Sequence, residues 1–202
     1  MTQRRIDDTS YPVLRHLTLP VVAITSAAGG VRNGMIANSG QRASLVPTIA
    51  RVSMYISKPN YTHDLIYRSG IFGLHLLRRD QWELIWHLGL QSGRDVDKLS
   101  TVATRAGETG CPLLVDCAAV FECRVINAMD AGAATFFLGE VVQFEASVPA
   151  AEIMTSEYFR QHMPADKKRI YEARLADAME YLEPLARLVD PGRVWPGPTI
   201  EP

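Results

Sequence analysis

The sequence predicts a mainly β fold: a six-stranded antiparallel barrel with peripheral helices and a C-terminal helical extension. Three observations point there. Short β-branched or alternating runs recur with turn residues between them. Two small helical patterns alone interrupt them before residue 150. No Gly-x-Gly-x-x-Gly follows a strand, so a doubly wound dinucleotide-binding sheet is not supported. At 202 residues the chain suits one sizeable domain with at most an appendage, and a domain of that size buries about 70% of its unfolded surface without disulfides or structural metals. The expected division is a barrel over residues 1–150 and a helical extension with an irregular tail over 151–202.

Residues 11–18 (YPVLRHLT) suit a short helix packing Val13, Leu14 and Leu17. Val21–Thr25 is a β-branched run, and the Gly-Gly within 27–33 marks a hairpin turn. Residues 33–39 and 51–57 read as strands, the second alternating Val52, Met54 and Ile56 against Arg51, Ser53 and Tyr55. Thr62 is the expected N-cap of a short helix that stops at Gly70, and residues 71–77 form the next strand. Asp80 is the expected cap of a helix whose Trp82, Ile85, Trp86 and Leu90 share an apolar face. Residues 92–116 carry turn signals and little periodicity. Residues 118–127 and 135–144 are the two clearest strands, joined through Asp130-Ala131-Gly132. Residues 165–190 are charged and helical, with Pro184 expected to end or kink the helix after Glu183.

The composition is that of an ordinary soluble protein, with 47% apolar and 21% charged residues. The N-terminus has no apolar segment or cleavage site of a secretory leader, and no apolar run is long enough to span a membrane. A net charge of −1 gives no global attraction to nucleic acid or anionic lipid. Cys111, Cys117 and Cys123 lack metal-ligand spacing and read as buried free thiols, which places the protein in the cytoplasm. Charge is unevenly placed: the 44 residues from Pro20 to His63 hold Arg32, Arg42, Arg51 and Lys58 but none of the 22 acidic residues. Either strand propensity excludes carboxylates there, or the surface is kept clear for an anion.

Ser57-Lys58-Pro59-Asn60-Tyr61-Thr62-His63-Asp64 concentrates hydrogen-bond donors where a strand gives way to a helix. One reading is a solvated loop with a helix cap. The other is a phosphate cradle, in which first-turn N–H groups point outward beside Lys58, Ser57 and Thr62. Asp64 opposes the second reading unless it points away. Upstream, Asn33-Gly34-Met35-Ile36-Ala37-Asn38-Ser39 combines small side chains with amides, which lets a planar ligand approach the backbone.

NGMIANS, then RASLVP, then a strand running into NYTHDLI, then SGIFGLHLL, ECRV and FFLGEVV resemble in order the flavin reductase-like family of FMN-binding split barrels. The resemblance covers roughly residues 17–145. It implies a split barrel, a homodimer, FMN or FAD as the flavin, NADH or NADPH as the hydride donor, and a partner monooxygenase as recipient of reduced flavin. It also implies site residues: Ile36, Ala37, Asn38 and Ser39 along the flavin ring, and Tyr55, Ser57, Lys58, Asn60, Tyr61 and Thr62 at the ribityl chain and phosphate. Many members carry Thr where Ile36 stands, so a ring hydrogen bond comes here from backbone or from Asn38. The basic RGRY-like terminal signature is absent, and a charged helix takes its place. Asp97-Lys98-Leu99 stands where the family has Asp-Lys-Phe, making Lys98 a candidate for the phosphate or nicotinamide side.

No Ser/His/Asp triad is evident, and hydride transfer between cofactors needs none. His63 is either a flavin contact or a first-turn helix residue. His75 reads as a satisfied strand histidine and His87 as packing, while His162 with Tyr158 or Phe159 is a weaker candidate for the open face of the ring. Two other readings remain: an enzyme with fixed FMN reducing an organic substrate, and a non-enzymatic flavin electron carrier.

Overall fold

The computed structural model describes Leu17 and residues 20–147 and 152–199. The expected helix over residues 11–18 lies outside these, apart from an exposed Leu17. The elements are β1 (Val22–Ala28), β2 (Val31–Ala37), β3 (Gln41–Arg42), β4 (Arg51–Ser57), α1 (Tyr61–Ser69), β5 (Ile71–Leu76), α2 (Trp82–Gly89), β6 (Thr104–Ala106), β7 (Pro112–Leu114), β8 (Ala119–Asp130), β9 (Ala134–Ala146), α3 (Ser156–His162) and α4 (Ala165–Ala186).

Seven strands form one antiparallel sheet in the order β2-β1-β5-β8-β9-β4-β3. All six expected strands are in it. The correction is the seventh, β3, a two-residue strand pairing Gln41 with Ser53 and Arg42 with Val52, too short to carry a periodic signal. A second correction is the β6–β7 hairpin in the stretch read as turns. Its 107–110 turn is held from outside, because the buried Glu122 carboxylate accepts from the Glu108 and Thr109 backbone N–H groups at 3.0 and 2.6 Å.

The β1–β2 turn is the two residues Gly29-Gly30, both at positive φ (56° and 74°), the conformation a tight hairpin requires and that glycine adopts without a Cβ clash. From there β1 runs between two cores. Val22 and Ile24 join Met35, Met54, Ile56, Phe72 and Phe137 in a cluster drawn from six strands and Ile66 of α1. Val21 and Ala23 face a second cluster with Ile85, Trp86, Leu113, Met154 and Phe159. Alternate residues point to opposite faces of a strand, so an unbroken apolar run is what a strand buried on both faces needs. The three cysteines are buried and free.

Two helix boundaries differ from expectation. Asn60, not Thr62, is the N-cap of α1, and Gln81, not Asp80, is that of α2. Gln81 is held by its own side chain, accepting from Arg78 N–H at 2.9 Å and donating to Asp116 O at 2.7 Å, while Asp80 turns outward to Arg78. The long helix α4 passes through Pro184 to Ala186. One lost N–H so near the end leaves only a single carbonyl unpaired within the helix. No residue of α4 is buried. No helix among the described residues is long and apolar enough to cross a membrane.

His75 on β5 is fully enclosed, with Nδ1 at 3.2 Å from Ala23 O and Nε2 accepting from Leu114 N–H at 3.1 Å. Burial pushes its pKa from 6.5 down to about 4. Between these values the unfolded chain binds a proton that the folded chain refuses, so the contribution is whole above pH 6.5 and is lost as pH falls through 4. The ceiling on that loss is about 3 kcal/mol. Urea unfolding at pH 7 and pH 4.5 should show stability falling with acid, and His75→Asn should flatten the slope.

Candidate functional site

In the sheet order β2 lies at one end and β4 next to the other. Side chains link the β2 end to β4 and to the helix that follows it. Ser39 Oγ, just past β2, donates to Tyr55 O of β4 at 2.6 Å, and Asn33 Nδ2 of β2 donates to Thr62 Oγ1 in the first turn of α1 at 2.9 Å. The barrel is therefore split between β2 and β4, and the two segments singled out in the sequence form the lips of the split.

On the β2 side, Ile36, Ala37 and Asn38 line a groove of about 140 Å³ with Val21, Trp86, Gly89, Leu90, Phe159 and Tyr171. The expected apolar face of α2 makes its wall: Trp82 stacks on Trp86 and on Phe159 at centroid distances of 5.5 and 5.6 Å. Asn38 is exposed at the rim. The floor is apolar and the rim carries an amide.

On the other lip, no side chain caps α1 at Asn60, whose Nδ2 instead donates to Ser57 O at 3.2 Å. Its first-turn N–H groups therefore lack the side-chain acceptor that most helices supply. Thr62 is wholly buried behind this turn on Asn33, and Asn33 Oδ1 is buried with no hydrogen-bond partner. Asp64 is turned aside to Arg94 at 2.7 Å, and the Arg94 guanidinium lies 4.7 Å above the Tyr61 ring.

Lys58 is not a free cation. Its Nζ donates to Asp130 Oδ2 at 2.7 Å, and Arg193 Nη1 reaches the same oxygen at 3.4 Å. Asp130 also accepts from Gly132 N–H at 2.7 Å. Burial raises the Asp130 pKa, but these donors outweigh it and the carboxyl stays below its usual range. The three residues line a cavity of about 220 Å³ with His63, Asp64, Tyr67, Met129, Thr135 and Trp195.

The other expected site residues make bonds within the fold. Lys98 is buried, and its ammonium donates to Leu88 O at 2.8 Å and Gln91 O at 3.2 Å, closing the C-terminal end of α2. Burial lowers its pKa to about 8. His63 is buried between Tyr67 and Phe137, with Nε2 2.8 Å from Thr135 Oγ1. Burial lowers its pKa against the raising effect of Asp64. His87 Nε2 is 2.7 Å from Lys98 O. His162 stacks on Tyr158 at 3.9 Å, itself under Arg79.

Comparison with known proteins agrees with this architecture. The model of the flavin reductase like domain matches residues 14–165. The chain belongs to that family. A ferric-chelate reductase (NAD(P)H) of Archaeoglobus fulgidus is 32% identical over 134 residues, 65% of this chain and 78% of the relative. The reductase component of a 4-nitrophenol 4-monooxygenase/4-nitrocatechol 2-monooxygenase from Rhodococcus opacus is 30% identical over 134 residues, 66% of this chain and 69% of the relative. Among solved structures, the NADH:FAD oxidoreductase of Streptomyces globisporus superposes with a TM-score of 0.63 at 27% identity, covering 76% of this chain and 92% of that one.

Sequence reasoning missed Asp130 and Arg193. Asp130 registered only as a turn residue and Arg193 was not singled out; no local pattern ties either to Lys58. Gly93 was also missed. A Cβ there would lie 2.2 Å from Asn33 Oδ1, inside any tolerable contact. Gly93→Ala should displace the Asn33 amide from Thr62 and cost about 1–3 kcal/mol, read as a lower denaturation midpoint.

Proposed function

We propose that this chain is an NAD(P)H-dependent flavin reductase that binds FMN across the split of the barrel. The observation that carries the proposal is the pairing of the lips: an apolar groove with an amide rim on one side, and an uncapped helix N-terminus beside a lysine on the other. A flavin has matching parts, a flat three-ring system with a polar edge and an anionic tail. The orphaned Asn33 Oδ1 behind the first turn of α1 adds a polar group with unmet capacity.

In this reading Ile36 and Ala37 form the floor under the ring, and Asn38 with the backbone to Ser39 meets its polar edge. Trp86, Leu90 and Phe159 exclude water from the groove, which strengthens every dipole aimed into it. Tyr55, Ser57, Asn60 and Tyr61 border the path of the ribityl chain. Lys58 and the first-turn N–H groups of α1 hold the phosphate, Thr62 fixing that turn through Asn33. Lys98 and His63 hold the elements that carry these groups. Bound flavin supplies the hydride-accepting chemistry, and the protein contributes position and electrostatics.

The family relatives support NADH or NADPH as donor, and the Rhodococcus reductase component supports delivery of reduced flavin to a monooxygenase. The working unit in this reading is a homodimer. In support, Leu45, Val46 and Ile49 are exposed beside an apolar hollow of about 490 Å³ that includes Val22, Leu74 and Phe121, and α4 buries none of its residues on its own chain. Nothing in the composition favours nucleic acid, and residues 20–63 are kept free of acid on this reading for the flavin phosphate. The free thiols support a cytoplasmic location.

Purified protein should oxidise NADH or NADPH only when flavin is supplied; no oxidation at saturating FMN and FAD would defeat the assignment. Lys58→Ala should weaken FMN about tenfold while leaving riboflavin, which has no phosphate, nearly unchanged. Equal losses for both in fluorescence titrations would remove Lys58 from the phosphate.

A further inference from the structure

The segment after α4 returns across the molecule and lies against the phosphate side of the split. Val194 forms an antiparallel bridge with Met129 at the end of β8. Trp195 Nε1 donates to Tyr67 O at 3.1 Å, and Thr199 N–H donates to Arg68 O at 2.8 Å, both on α1. These contacts fix the tail along the helix whose N-terminus faces the site, and they bring Arg193 to Asp130.

The charges there pose a problem for any anion site. Asp130 is 4% exposed and lies 2.7 Å from the Lys58 ammonium. A lysine paired this closely with a carboxylate is nearly neutral when viewed from a few ångströms away, so a phosphate would meet little net attraction. Arg193 changes that balance. Asp64 also lines the cavity but is paired with Arg94, so with two cations on the Asp130 carboxylate the cluster is net positive, and Lys58, which has three N–H donors, keeps two for a ligand. Its side chain is 30% exposed, so those donors reach the surface of the cavity.

We propose that Arg193 is a positioning residue for the anion site: by sharing Asp130 it leaves Lys58 with net positive charge and free donors to bind a phosphate monoester. The C-terminal tail therefore takes part in tail-phosphate recognition without touching the ligand. This inference rests on the flavin reading above.

The test uses the full chain and fluorescence titration with FMN and riboflavin at low and high salt, with thermal midpoints as a check on folding. Arg193→Gln keeps a polar, though shorter, side chain without the charge, and Arg193→Lys restores the charge. R193Q should weaken FMN about tenfold, leave riboflavin unchanged and flatten the salt dependence, and R193K should recover most of the loss. In an Asp130→Asn background, R193Q should have no further effect, because the carboxylate it neutralises is gone. Unchanged FMN binding in R193Q, parallel losses for FMN and riboflavin, or a full tenfold loss in the D130N background would each overturn the inference while leaving the flavin reading in place. A wild-type chain that binds neither compound would overturn both.

Discussion

The constraint on which this molecule depends is the failure of β2 and β4 to close as a ladder. In a fully closed barrel the two would exchange backbone hydrogen bonds and seal the wall; here β2 ends the sheet, and β4 beyond Ser53 pairs only with β9. Here the sheet order leaves them apart, and two side-chain contacts, Ser39 to Tyr55 and Asn33 to Thr62, hold the gap at a set width. Such bridges are weaker and fewer than a ladder, each of order 1 kcal/mol net. Two buried cores stand on either side of β1, and they allow the opening to persist without loss of the fold.

The polar side chains near the split divide by what they are bonded to. Glu122 ties down a hairpin turn, Lys98 closes the end of α2, and His63 and His75 are enclosed in packed walls. All four are buried, and a buried polar group costs stability unless it is paired, so their partners are structural ones. Lys58 differs. It is partly exposed, and the carboxylate it meets is itself shared with a second cation. That contrast underlies the proposal that Lys58 serves a ligand, although all are equally polar in the sequence.

Most of the architecture was legible along the chain. The six principal strands, the glycine stop of α1, the Asp130–Gly132 hairpin and the apolar face of α2 depend on alternation, turn residues or helical spacing, signals that operate within a few residues. The misses share a cause. Thr62 and Asn60 are both good caps, and the choice between them was made by Asn33, which claims Thr62 from 29 residues away. Lys98 sits in a motif position that suggested a ligand, and what the sequence left open is that its ammonium is held by the carbonyls at the end of α2. The two-residue strand β3 exists only because β4 offers an edge to pair with.

By itself the sequence determined the family, the β-rich architecture and the two segments that border the split, since repeated local patterns and ordered motifs encode these. Tertiary structure decided the electrostatics. The run from Pro20 to His63 has no acid in it, but the face it forms does, because Asp130 arrives 72 residues after Lys58 and Arg193 a further 63 after that. Charge acts through space and falls off with distance, not with position along the chain, so only the folded arrangement sets which cation is cancelled and which is left for a ligand.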